Sequence, residues 1–200
     1  MAEALHRRSA GTRAPFQRRR DSLQGFAPHL GAKQDMFSEP SISRAAALIV
    51  SYRAAGVFVV TAESCTGGLL AALITAIPGS SEVFERGFVT YSNAAKMDSL
   101  GVAPRILEQF GAVSAETARA MAIGALAHSS AGIALSITGI AGPGGGSDEK
   151  PVGLVHFGLA RRDGAVITVE ERFGDLGREA VRFAAVATAV ELLLEAVQGS

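Results

Sequence analysis

The groups able to do chemistry in this chain fall in three short stretches. The first is Ser64-Cys65-Thr66-Gly67-Gly68, which precedes a run, Leu69 to Ile77, that reads as a small-residue helix closed by Pro78-Gly79. Three hydroxyl or thiol groups therefore stand where free backbone N–H groups and the positive end of a helix dipole point outward. Such a place binds an anion or holds a nucleophile beside an oxyanion hole. The same residue types are also preferred for helix capping alone. The second stretch holds Tyr91 and Lys96, and the third is the loop Gly139-Ile-Ala-Gly-Pro-Gly-Gly-Gly-Ser147. Its N–H groups can face a phosphate or a carboxylate, or the loop can be a plain connection.

The lysine usage bears on the second stretch. Of 19 basic residues only Lys33, Lys96 and Lys150 are lysine. Arginine stays protonated, whereas lysine can give up its proton. Lys96, soon after a strand-end tyrosine, is therefore a candidate base; its alternative is a solvent-facing helix position. No histidine lies near these loops in sequence, so a Ser–His–Asp triad has little support and a Ser–Lys pair is the available arrangement. It carries an energetic requirement. Neutralising a free lysine at pH 7 costs about 4.6 kcal/mol, and burial is the effect large enough to offset it. The site should then be closed and largely dry. Cys65 is a rival nucleophile, because a helix N-terminus lowers a thiol pKa. The glycine loop is neither a P-loop nor a dinucleotide fingerprint, and Tyr91-x4-Lys96 misses the Tyr-x3-Lys spacing of short-chain dehydrogenases.

These stretches need elements to position them. Ser43–Arg53 reads as a helix ending at Gly56. Val57–Val60 is an apolar run that reads as a buried strand, with a polar turn beginning at Thr61. The segment 82–91 has strand composition, best at Phe88–Tyr91. Short helices follow over Ala94–Leu100 and Pro104–Phe110, and a longer one from Ser114 to His128. Gly132–Thr138 reads as a second central strand. Val152–Ala160 and Ala165–Phe173 alternate and are joined by Arg161-Arg162-Asp163-Gly164, a hairpin. Gly177–Val197 closes the chain as a helix. The fold class is α/β: one mixed sheet flanked by helices, an α/β/α sandwich with a C-terminal hairpin. Residues 1–40, with six arginines against one acid in the first twenty, read as a disordered or loosely attached extension. The domain covers 41–200. Ligands of such sheets bind beyond the carboxyl ends of the strands, where the loops 63–68, 91–96 and 138–147 should converge.

The totals narrow the classes. Net charge is zero, so nothing global points to nucleic acid; binding of DNA would rest on the arginine-rich start. The single cysteine excludes an internal disulfide and fits a reducing compartment. The four histidines do not pair at metal-ligand spacing, and no apolar run reaches the roughly 18 residues that span a bilayer.

Four motifs carry a resemblance: Thr61-Ala-Glu-Ser-Cys-Thr-Gly-Gly68, Phe84-Glu-Arg-Gly-Phe-Val-Thr-Tyr-Ser-Asn-Ala-Ala-Lys96, Gly111-Ala-Val-Ser114, and Ser136-Ile-Thr-Gly-Ile-Ala-Gly-Pro-Gly-Gly-Gly-Ser147 with Lys150-Pro-Val-Gly153. In this order the chain, from about Ser41 to Val197, resembles the C-terminal domain of the competence/damage-inducible protein CinA. The resemblance implies an α/β sandwich and a cytoplasmic hydrolase that converts nicotinamide mononucleotide to nicotinate mononucleotide and ammonia. It implies no metal or organic cofactor, and a homo-oligomer. It places the nucleophile on Ser64, the base on Lys96 and a supporting tyrosine on Tyr91, which would orient the lysine or relay a proton. Backbone groups of Cys65, Thr66, Gly67 and Gly68 are then expected to hold the oxyanion. Thr138, Gly139, Gly142, Gly144 and Gly145 are expected to bind the substrate or close the pocket over it. The larger relatives carry a further nucleotide-hydrolysing domain, so amidase activity alone is expected here. The alternative is a non-catalytic nucleotide-binding or DNA-uptake accessory domain.

Overall fold

The computed structural model describes residues 36–198. The arginine-rich extension expected over 1–40 lies, through residue 35, outside the described residues. The first helix, α1 (Glu39–Ala55), begins ahead of the boundary read at Ser41. Ser38 caps it, Pro40 stands in its first turn, and Gly56 closes it in the left-handed conformation. Phe37 is buried just before it and meets Phe183 edge-on, with ring centroids 6.2 Å apart.

Five strands form one sheet in the order β2-β1-β3-β4-β5. They are β1 (Val59–Glu63), β2 (Phe84–Val89), β3 (Ile133–Gly139), β4 (Leu154–Arg161) and β5 (Val166–Arg172). β1 runs parallel to β2 and β3, while β4 and β5 add antiparallel as a hairpin. The carboxyl ends of β1, β2 and β3 therefore share one edge. Two strand readings are corrected. β1 starts at Val59 and runs on through Glu63, so Thr61 and Glu63, read as turn, are buried strand residues. β2 ends at Val89, so Tyr91 follows the strand instead of closing it.

Helices cover both faces. On one lie α1, α2 (Leu69–Thr75) and α6 (Arg178–Gln198), packed on Val59, Ile133, Leu135, Ile137, Val155 and Phe157. On the other lie α3 (Asn93–Leu100), α4 (Pro104–Phe110) and α5 (Ala115–Ala127), packed on Val60, Ala62, Ala134 and Ala160. The second face is built from small residues, which lets α5 approach closely. A Cβ on Gly158 would enter the backbone of Ala118, and one on Gly124 would enter the carbonyl of Leu100. The first contact seats α5 on β4; the second seats α3 on α5. Large apolar side chains such as Leu70, Leu73, Leu135 and Leu193 are fully buried, each worth about 1.5–3 kcal/mol by area.

Candidate active site

The site forms at the shared edge, and its centre is the turn between β1 and α2. The expected division of labour there is altered by one residue. Glu63, the last residue of β1, is completely buried. Its carboxylate accepts from the N–H groups of Gly68 (3.0 Å), Leu70 (3.1 Å) and Ala71 (2.9 Å). The helix start is thus capped by an internal carboxyl group, and the N-cap position itself is Gly68, at φ +94°, with no side-chain cap of its own. Sequence reasoning weighed Ser64 and Thr66 as caps and missed Glu63, whose signal was an acid placed directly before a Ser-x-x-Gly-Gly turn.

Two consequences follow. Ser64 is released from capping, and the donors available to an oxyanion are fewer than the four expected. Gly68 N–H is taken by Glu63, and Gly67 N–H donates to the carbonyl of Ser64 at 3.1 Å. The N–H groups of Cys65 and Thr66 make no hydrogen bond to another residue among the described residues.

Lys96 reaches this turn from the neighbouring strand crossing. Ser92 caps α3 by accepting from Ala95 N, which places Lys96 in the first turn. Its side chain is 1 % exposed. The amine lies 2.9 Å from Ser64 Oγ and 2.8 Å from the carbonyl oxygen of Thr90. Burial holds its pKa below the ordinary lysine range. The solvent-facing alternative for Lys96 is thereby excluded. Cys65 Sγ is buried as well, and burial pushes its pKa up to about 11. A thiol so placed stays protonated at neutral pH, the opposite of what a helix N-terminus alone suggested, because burial outweighs that effect and Glu63 acts in the same direction as burial.

Tyr91 and Lys96 share no hydrogen bond among the described residues. Tyr91 is 61 % exposed, and its hydroxyl accepts from Arg178 Nη2 at 2.7 Å. The lysine is oriented by the Thr90 carbonyl instead. Arg178, at the start of α6, also donates to the carbonyl of Gly142 at 2.9 Å. It thereby ties the glycine loop to the segment after β2. Sequence reasoning did not single it out, since it lies in the closing helix, far along the chain from every motif weighed.

A cavity of about 270 Å³ opens here, lined by Ser64, Cys65, Tyr91, Lys96, Arg178 and the segments 112–113, 138–142 and 144–145. Thr138, Gly139, Gly142, Gly144 and Gly145 are all on its wall, while Thr66, Gly67 and Gly68 continue the turn from Cys65 beside it. Thr138 Oγ1 donates to the carbonyl of Ala112 at 2.6 Å, and Lys150 Nζ donates to those of Phe110 and Val113 at 2.7 and 2.8 Å. Together they fix the wall opposite the nucleophile turn. Among the described residues no cluster of His, Cys, Asp and Glu is placed to hold a metal, and no helix is long and apolar enough to cross a membrane.

A three-layer α/β fold with a half-buried serine–lysine contact at the edge of its parallel strands defines the class. The CinA C-terminal domain model matches residues 42–197, and the chain belongs to that family. It is 54 % identical over 143 residues to nicotinamide-nucleotide amidohydrolase PncC of Enterobacter agglomerans, covering 71 % of this chain and 86 % of the relative. The like-named protein of Escherichia coli K12 is 56 % identical over 142 residues, covering 70 % and 85 %. A putative competence-damage inducible protein of Caldicellulosiruptor bescii is 61 % identical over 112 residues, covering 56 % of this chain but 27 % of that longer protein. Among solved structures, the competence/damage inducible protein CihA of Agrobacterium tumefaciens superposes with a TM-score of 0.79 at 52 % identity, covering 82 % and 99 % of the two chains.

Proposed function

We propose that the chain hydrolyses the carboxamide of nicotinamide mononucleotide, giving nicotinate mononucleotide and ammonia. The observation that carries this reading is the 2.9 Å contact between Ser64 Oγ and a buried Lys96 whose pKa is lowered. The names of the two amidohydrolase relatives supply the substrate.

Neutral Lys96 has one lone pair and two N–H bonds. One N–H is directed to the Thr90 carbonyl, which leaves the lone pair to accept the Ser64 hydroxyl proton. Ser64 Oγ attacks the carboxamide carbon as that proton passes to Nζ. The N–H groups of Cys65 and Thr66 hold the oxyanion. Collapse expels ammonia, which takes the proton back from Lys96, and leaves an ester on Ser64. Water then attacks the ester as it loses a proton to Lys96, and the acyl–oxygen bond breaks as Lys96 returns that proton to Ser64 Oγ, freeing the acid. Arg178 and the N–H groups of Gly144 and Gly145 face the nucleotide end; no carboxylate lines the cavity among the described residues, which suits an anionic substrate. Tyr91 belongs to this outer wall. The reaction takes place in the cytoplasm, and the working form is a homo-oligomer, testable by light scattering.

The test of the nucleophile is a pair of variants. Ser64→Ala should lower kcat for ammonia release at least about 1,000-fold, while Cys65→Ser should stay within a few-fold of wild type. The reverse ranking would move the nucleophile to Cys65.

A further inference from the structure

Helix α6 enters the site twice. Arg178 serves the outer wall; Arg182, one turn further along, serves the nucleophile turn. Arg182 Nη2 donates to the carbonyl of Thr66 at 2.8 Å. The same nitrogen lies 3.5 Å from where a Cβ on Gly67 would stand, so the guanidinium lies along the backbone of the turn. The peptide unit joining Thr66 and Gly67 is thus held at both poles, its carbonyl by Arg182 and its N–H by the carbonyl of Ser64. Peptide units are planar. Fixing this one therefore leaves only the torsions at Thr66 between it and the N–H of Thr66. A turn with two donors not taken by other residues, Cys65 and Thr66, cannot serve one oxyanion unless both point at the same place.

Arg182 Nε is buried without an acceptor among the described residues. A buried donor left unpaired costs stability, so stability alone does not account for this arginine. Its positive charge also reaches the neighbouring Cys65, where it works against the effect of burial on the thiol.

We infer that Arg182 is a positioning residue for the oxyanion turn: through the Thr66 carbonyl it aims the Cys65 and Thr66 N–H groups at the substrate oxygen. This rests on the Ser64–Lys96 reading above. It predicts a loss in kcat and not in KM, because the turn holds the reacting oxygen and takes no part in holding the nucleotide end.

The test compares Arg182→Met with wild type in two assays. With nicotinamide mononucleotide, kcat should fall about 10- to 100-fold, with KM within about threefold. With an alkyl fluorophosphonate probe, Ser64 Oγ bonds to phosphorus, its proton passes to Lys96 and fluoride leaves. The probe's phosphoryl oxygen occupies the oxyanion position, so labelling of Ser64 should slow by a similar factor. Labelling at the wild-type rate, or a raised KM with kcat intact, would overturn the inference. Should Arg182→Met fail to fold, Arg182→Lys carries the test. That variant keeps the charge but cannot lie along the turn; a loss of about tenfold in labelling supports the inference, and none overturns it. If wild type labels at Ser64 yet releases no ammonia, the substrate assignment fails, while the labelling rates still decide the role of Arg182.

Discussion

At the scale of single residues, the site depends on two buried groups that meet at one turn, the amine of Lys96 and the carboxyl group of Glu63. Burial lowers the pKa of Lys96. The pH dependence of kcat/KM should therefore rise to a plateau with a midpoint below the ordinary lysine value of about 10.4, since the protonated amine cannot accept the serine proton. A midpoint at or above that value would remove Lys96 as the base. The same shift sets a stability effect. The unfolded chain holds the lysine proton more tightly than the folded one, so the penalty is complete below the folded pKa and disappears as pH rises through the unfolded value. Lys96→Met should then raise Tm at pH 7, with activity lost. Differential scanning calorimetry at pH 7 and near pH 10.5 should show that gain shrinking. Lys96 was readable as a candidate because this chain otherwise writes positive charge as arginine. Its partners were not readable, since Thr90 acts through its carbonyl and any residue supplies a carbonyl. Tyr91 shows the converse: a motif residue whose hydroxyl turns to an arginine 87 positions along the chain.

At the scale of elements, the nucleophile turn is built by what surrounds the start of α2. Glu63 satisfies three N–H groups that a Ser or Thr cap would otherwise have shared. Glu63→Ala leaves these donors buried and unpaired, and should cost about 2–3 kcal/mol in urea denaturation. A cost under about 0.5 kcal/mol would show that water replaces the carboxylate. The strand was legible from its apolar start but cut short, because Thr61 and Glu63 are polar; only a central position between β2 and β3, with the helix start as partner, makes burial of Glu63 tolerable. The helix carrying Lys96 is positioned in turn by α5. The backbone of Leu100 rests against Gly124, where no Cβ fits. Gly124→Ala should therefore displace α3, lowering both Tm and kcat; an unchanged kcat would mean that the Ser64–Lys96 distance does not depend on this contact.

At the scale of the whole molecule, the three parallel strands bring their carboxyl ends to one edge, and the closing helix α6 crosses to the same edge. The layer order and the hairpin followed from alternating helix and strand patterns, with Gly and Pro marking the breaks. What the pattern does not carry is the return of α6 to the site, since Arg178 and Arg182 stand in a helix whose apolar face alone accounts for its packing: Val181, Ala185, Val186 and Ala189 are buried. The glycine loop and Tyr91 depend on that helix for their placing. The serine–lysine route uses side chains and backbone N–H groups only, so EDTA should leave the rate of ammonia release unchanged; a loss restored by a divalent cation would require a different reaction scheme.

The most direct measurement is ammonia release from nicotinamide mononucleotide, with wild type and Lys96→Ala assayed side by side without added metal. Turnover by the wild type, lowered about 100-fold or more in the variant, is the predicted result. Equal turnover in both would contradict the lysine base, and no turnover in either would contradict the assigned substrate.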